Sequence, residues 1–175
     1  MSTGPASADV PALPASFTAD DLKAAGFMGW QTWSQLRDGN FAAVPSGPAV
    51  YVVFRRETTN PTFLQQNPSG RFKGRNPTAS VSTLAEKWVS GTQVIYIGKA
   101  DVADRRLTQF ARFGVGEPEG HWGGRFIWQL ADAASSLVAW HGITWSETAR
   151  DYEKRLIAHF EEIHGGSMPF ANLRY

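Results

Sequence analysis

From residue 49 onward the apolar positions fall into short unbroken runs separated by stripes at helical spacing. The run AVYVVF at 49–54, β-branched and aromatic behind a Pro-Ser-Gly-Pro turn, predicts a buried strand. QVIYIG at 93–98 and LVAWHGI at 137–143 predict two more. Between the first two, residues 57–80 are polar and broken by Pro and Gly, which predicts a long loop, and 82–89 predicts a short helix. Asp101-Val-Ala-Asp104 and Thr144-Trp-Ser-Glu147 have the spacing of capping boxes, the first with an acid in place of Glu or Gln. They predict helices running to about Phe113 and His164, the latter stopped by Gly165-Gly166. The spacing of Trp122, Phe126, Ile127 and Leu130 favours a further helix over 125–133.

Upstream, Thr18-Ala-Asp-Asp21 is a helix-start signal, again with an acid closing the box. Leu22, Gly26/Phe27 and Trp30/Trp33 predict one or two short amphipathic helices ending near Leu36, before a turn at Asp38-Gly39-Asn40. Residues 1–17 are small and Pro-rich and predict a flexible tail. The expected organisation is therefore the tail, an N-terminal helical extension over 18–46, and a single domain over 47–175. That domain is α/β, with a small central three-stranded sheet flanked by helices.

Composition narrows the chemistry more than the fold. The chain has no cysteine, which excludes disulfides, thiolate metal sites and a cysteine nucleophile. No apolar run approaches a membrane span, and the N-terminus lacks a signal-peptide pattern, so a cytoplasmic location without a membrane partner is expected. The net charge of +1 hides an uneven distribution. Residues 55–112 carry +6, the first 54 residues −2 and the last 63 −3. A basic middle suits a surface that meets a polyanion, and equally an ordinary solvated face.

Two charges disturb the helical stripes. Arg106 lies between Val102 and Phe110 on the apolar side of its helix, and Glu153 precedes Leu156, Ile157 and Phe160 at spacings of three, four and seven. Such charges either pair with each other or mark a site. Tyr51 and Tyr96 lie in the first two strands, where tyrosine is an ordinary strand former. Lys99 directly follows the strand-ending Gly98. The four histidines share no metal-ligand spacing, and no zinc-hydrolase, phosphate-loop, serine-hydrolase or dinucleotide motif is present.

Together these residues resemble the GIY-YIG nuclease superfamily, which includes the excision-repair incision subunit and some homing and restriction endonucleases. Tyr96-Ile97-Gly98 matches the second half of the signature, with Lys99 following as in the repair branch. Ala49-Val50-Tyr51 keeps the tyrosine of the first half and replaces its glycine. Arg106 stands eight residues after Gly98, at the family's helix arginine. Glu153 falls on the later helix that carries the metal-binding glutamate, and Asn172 matches a closing asparagine. The stretch between Tyr51 and Tyr96 is longer than the family's hairpin, so 57–92 reads as an insertion beside the site.

The resemblance implies a Mg²⁺-dependent (or Mn²⁺-dependent) endonuclease acting on DNA, with RNA not excluded. Glu153 would be the metal ligand, Arg106 and Lys99 would neutralise the phosphoryl oxygens, and Tyr51, its pKa lowered by neighbouring cations, would take the proton of the attacking water. Tyr96 would orient Tyr51 or the water, with Asn172 and His121 supplying supporting hydrogen bonds. Arg71, Lys73, Arg75 and Arg105 are the expected phosphate contacts. Specificity would come from 57–92, from the N-terminal helix or from a homodimer. An inactive nucleic-acid-binding module on the same fold is the competing expectation.

Overall fold

The computed structural model describes residues 10–39, 44–144 and 147–173. Its centre is one antiparallel sheet of four strands in the order β1-β4-β2-β3, one strand more than the sequence predicts. The expected strands are present as β2 (Ala49–Phe54), β3 (Val94–Ala100) and β4 (Leu137–Gly142). β2 and β3 pair with Tyr51 opposite Gly98, and β2 and β4 pair with Tyr51 opposite Trp140. Both faces of β2 are covered, which is why its sequence is an apolar run rather than an alternation.

The additional strand, β1 (Met28–Thr32), occupies a segment whose aromatic spacing favours helix. Gly26 and Gly29 both adopt positive φ, which stops α1 (Ala19–Ala24) and turns the chain onto β4. A Cβ at Gly29 would lie 2.2 Å from the Trp140 ring, so glycine is what allows the close approach. The register shifts between Gly29 and Gln31 at Trp30, which has φ of 53°. Trp30 thereby packs on one side of the sheet and Trp33, the first residue of α2 (Trp33–Arg37), on the other. Thr32 and Gln35 form a full capping box at that helix.

Helices cover both faces. On one, α4 (Ala103–Gly114) and the residues after it pack Leu107, Phe110, Phe126 and Trp128 against Tyr51, Tyr96 and Trp140. On the other, α5 (Ala149–Ile163) packs Tyr152, Leu156 and Phe160 against Val50, Val52 and Ile97. A short α3 (Val81–Lys87) lies in the long β2–β3 connection.

Several helix starts differ from the sequence reading. The Asp101–Asp104 box does not form. α4 has Val102 at its N-cap, and its first amides donate to the Gly47 and Pro45 carbonyls. α5 is capped by Thr148, whose hydroxyl accepts from the Asp151 amide. The predicted box at 144–147 includes 145 and 146, outside the described residues, and Glu147 instead pairs with Arg155 at 3.2 Å. Residues Trp122–Gln129 form a 3₁₀ helix, not an α-helix over 125–133. A Cβ at Gly124 would approach Phe110 to 2.4 Å, so the segment lies too close to α4 for an ordinary helical residue there.

Of the predicted tail, residues 1–9 lie outside the described residues; Asn40, the end of the predicted turn, does too. Residues 10–17 run along α5. There the Pro11 carbonyl accepts from Arg155, the Ala12 carbonyl from the Tyr152 hydroxyl, and Phe17 is buried against Phe160. Among the described residues no helix is long and apolar enough to cross a membrane.

Candidate active site

β3 is an edge strand, and the rims of both helical layers meet beside it. There the structure opens a cleft of about 890 Å³ lined by Tyr51, Tyr96, Lys99, Arg106, Glu153 and Asn172. Six of the seven sequence-predicted catalytic residues therefore share one cavity, contributed by β2, β3, α4, α5 and the C-terminal segment. The seventh, His121, is fully buried, and its Nε2 lies 2.9 Å from the Tyr51 hydroxyl.

Gly98 holds the two tyrosines together. A Cβ there would lie 2.7 Å from the Tyr51 hydroxyl and 2.7 Å from the Tyr96 ring. The ring centroids are 6.0 Å apart. Both rings also contact Phe110, on which His121 stacks with its centroid 3.5 Å away. Asn172 acts on the backbone: its Nδ2 donates to the Ile97 carbonyl at 2.8 Å and its Oδ1 accepts from the Ile97 amide at 2.9 Å. This amide pair occupies the free edge of β3 next to Tyr96.

Arg106 and Glu153 are half-buried and neither is in an ion pair among the described residues. Arg106 lies at the border of the buried stripe rather than in its middle, because Val102 is 44% exposed and the stripe runs through Ala103, Leu107 and Phe110. Its Nη1 donates to the Gly120 carbonyl at 2.7 Å, and its charge acts on the Tyr51 phenol across the cleft. Burial raises the Glu153 carboxyl, against the pull of Lys99, Arg150 and Lys154.

Arg150 and Lys154 are cleft residues that sequence reasoning missed. Together with Glu153 and Ile157 they repeat at helical spacing, so one face of α5 turns toward the cavity. Locating Glu153 on its helix was enough to find them by that periodicity.

The Tyr51 phenol corrects a sequence expectation. Its pKa is raised, not lowered: burial dominates, Glu153 adds to it, and the Arg106 charge and the neighbouring Tyr96 only partly offset it. Burial and the Arg106 charge push His121 well below its ordinary value, so its imidazole is neutral. Its Nδ1 is buried without a partner.

The predicted phosphate contacts stand outside the cleft lining. Arg71, Lys73, Arg75 and Arg105 are exposed. Arg105 lies on the far side of α4, beside Thr108 and Arg112. The hairpin bearing the other three approaches the site through Phe72, close to Gly120.

No group of three or more His, Asp or Glu side chains able to hold a metal occurs among the described residues. The donor set suits only a cation held by one carboxylate, the remainder of its shell being water and substrate oxygen, as Mg²⁺ prefers. Glu153, half-buried and in no ion pair among the described residues, fits that role. No protein-family model, no curated protein and no solved structure matches the chain.

Proposed function

We propose that the chain is a metal-dependent endonuclease of the GIY-YIG type, hydrolysing DNA phosphodiester bonds in the cleft beside β3. The observation that supports this most is the convergence of Tyr51, Tyr96, Lys99, Arg106 and Glu153, distant in sequence, on that cavity. Hydrolysis of a phosphodiester needs a proton acceptor for water, positive charge at the phosphoryl oxygens and neutralisation of the leaving oxygen. Arg106 and Lys99 supply fixed positive charge, Arg106 with a guanidinium whose remaining N–H groups can fork onto a phosphate oxygen. Glu153 would hold Mg²⁺ or Mn²⁺, which when bound supplies Lewis-acid stabilisation of the leaving alkoxide.

The raised Tyr51 phenol does not act as a free phenolate at neutral pH, and His121, itself held below its ordinary pKa, takes the phenol proton only in concert with the attack of water. In the tautomer with its proton on Nδ1, His121 presents the Nε2 lone pair to the Tyr51 hydroxyl. Tyr51 can then take a proton from water while passing its own to Nε2, so no phenolate has to exist alone. The Arg106 charge near the Tyr51 oxygen favours loss of the phenol proton during that exchange.

The same raised phenol favours a second reading, an inactive nucleic-acid-binding module. Against it stands Glu153, a carboxylate that would repel phosphate and that a pure binder has no use for. Incubating supercoiled plasmid with the protein separates the two. The nuclease reading expects nicking with Mg²⁺ or Mn²⁺ that EDTA stops. Retained binding without nicking in either metal supports the module instead.

A further inference from the structure

The segment whose backbone accepts from Arg106 carries a feature that the proposed chemistry does not use. Gly120, whose carbonyl holds Arg106, is followed by the buried His121 and then by the half-buried Trp122. Two guanidinium groups lie over the Trp122 ring, Arg75 at 4.7 Å and Arg125 at 4.4 Å from its centroid. They come from different places: Arg125 from the 3₁₀ helix, Arg75 from the hairpin in the β2–β3 insertion.

That hairpin is tightly built. Phe72 and Arg75 bridge across Lys73 and Gly74, which have φ of 52° and 75°. This is the two-residue turn with both central residues left-handed, a conformation lysine rarely adopts. The turn brings Arg75 to the Trp122 ring, while Phe72 approaches Gly120.

Two like charges beside one ring repel, and the Arg75 charge lowers the Arg125 pKa further than burial does alone. Neither is in an ion pair among the described residues. Arg125 uses one N–H on the Trp122 carbonyl at 3.1 Å, which leaves most of its donors unused. Two guanidinium groups already lie over the ring, and the groups they leave free are cationic N–H donors. A fixed pair of unneutralised arginines is suited to an anion with several acceptor oxygens.

We propose that Arg75 and Arg125, held by Trp122, clamp the phosphate backbone of the nucleic-acid strand on the side of the cleft next to His121. This rests on the nucleic-acid reading of the cleft and gives the insertion a defined task, with Trp122 as its positioning residue.

The test is the salt dependence of binding to a short labelled DNA duplex in EDTA, between about 50 and 200 mM salt. The slope of log affinity against log salt becomes shallower by about 0.9 for each phosphate that the protein no longer neutralises. In the double variant Arg75→Gln/Arg125→Gln the slope is expected to be shallower by about 1.8. Trp122→Ala is expected to flatten the slope as well, and Trp122→Phe to restore it, which a merely structural tryptophan would not do. Arg75 is exposed, so Arg75→Gln alone keeps the test valid should the double variant misfold. An unchanged slope in Arg75→Gln and in a folded double variant overturns the clamp, even if affinity falls. A shallower slope in a protein that never nicks DNA keeps the clamp and overturns the nuclease. Nicking with an unchanged slope does the reverse.

Discussion

Arg55, just past the end of β2, and Arg106, on α4, are both set among aromatic side chains. Their partners differ. Arg55 is 4% exposed, pairs with Asp132 at 2.9 Å, donates to the Glu57 and Thr59 carbonyls and lies over the Trp88 ring. Its Nε faces a carboxylate and its Nη1 two carbonyls, so its charge is already matched inside the fold. Arg106 has one backbone acceptor, the Gly120 carbonyl, and it borders an open cavity. Glu153 faces the same cavity without pairing to it. Apolar surroundings alone do not separate a structural charge from a chemical one; what separates them is whether the fold has already neutralised it.

Substitution should divide the two arginines sharply. Arg106→Ala is expected to reduce plasmid cleavage by about 10²–10³-fold, the scale for losing one preorganised donor, with at most about 1 kcal/mol lost in stability. Arg55→Ala is expected to act on stability instead. It would strand Asp132, whose Oδ1 already lacks a partner, at a cost of about 3 kcal/mol, or roughly 10 °C in Tm. Thermal melts and initial cleavage rates on both variants measure this; a large Tm loss in Arg106→Ala would erase the distinction.

A smaller effect is expected at Gly98. The methyl of Gly98→Ala would press on Tyr51 and Tyr96 together, costing about 1–3 kcal/mol. Because both displaced rings belong to the cleft, activity should fall by more than the loss of folded protein explains. Cleavage rates normalised to the folded fraction check that.

The smallest effect is pH-dependent and belongs to His121. Its pKa lies below the ordinary 6.5 in the folded protein, so below that pH the unfolded chain binds a proton the native state does not. Its contribution is complete above about 6.5 and is lost as pH falls toward the folded value, at up to about 1.4 kcal/mol per pH unit. His121→Gln cannot take that proton, so between pH 6.5 and 5 its denaturation midpoint should fall less steeply than the wild type's. Parallel pH profiles would contradict a buried neutral imidazole.

Much of the architecture was legible in the sequence, since β2, β3 and β4 are short β-branched and aromatic runs, too brief for helices. β1 was not, because glycine φ values and a bulge set its side-chain directions, and these imitate a helical stripe. The start of α4 was also misread, since its first amides are satisfied by Pro45 and Gly47, distant carbonyls that no local motif announces.

The cleft was legible through charges that break apolar stripes and through the Tyr-Ile-Gly strand end. The direction of the Tyr51 shift was not, because it depends on how deeply the phenol is buried against Phe110 and His121. Nor was the role of Asn172, whose amide pairs with a strand edge far away in sequence.

The central claim is that the cleft beside β3 performs hydrolysis and does not merely hold a polyanion. Cleavage and binding of the same DNA, measured side by side on wild type and Glu153→Gln, test it most directly. The account predicts that Glu153→Gln abolishes cleavage in Mg²⁺ and in Mn²⁺ while binding in EDTA is preserved or strengthened by loss of the carboxylate. Cleavage by Glu153→Gln at the wild-type rate would contradict it.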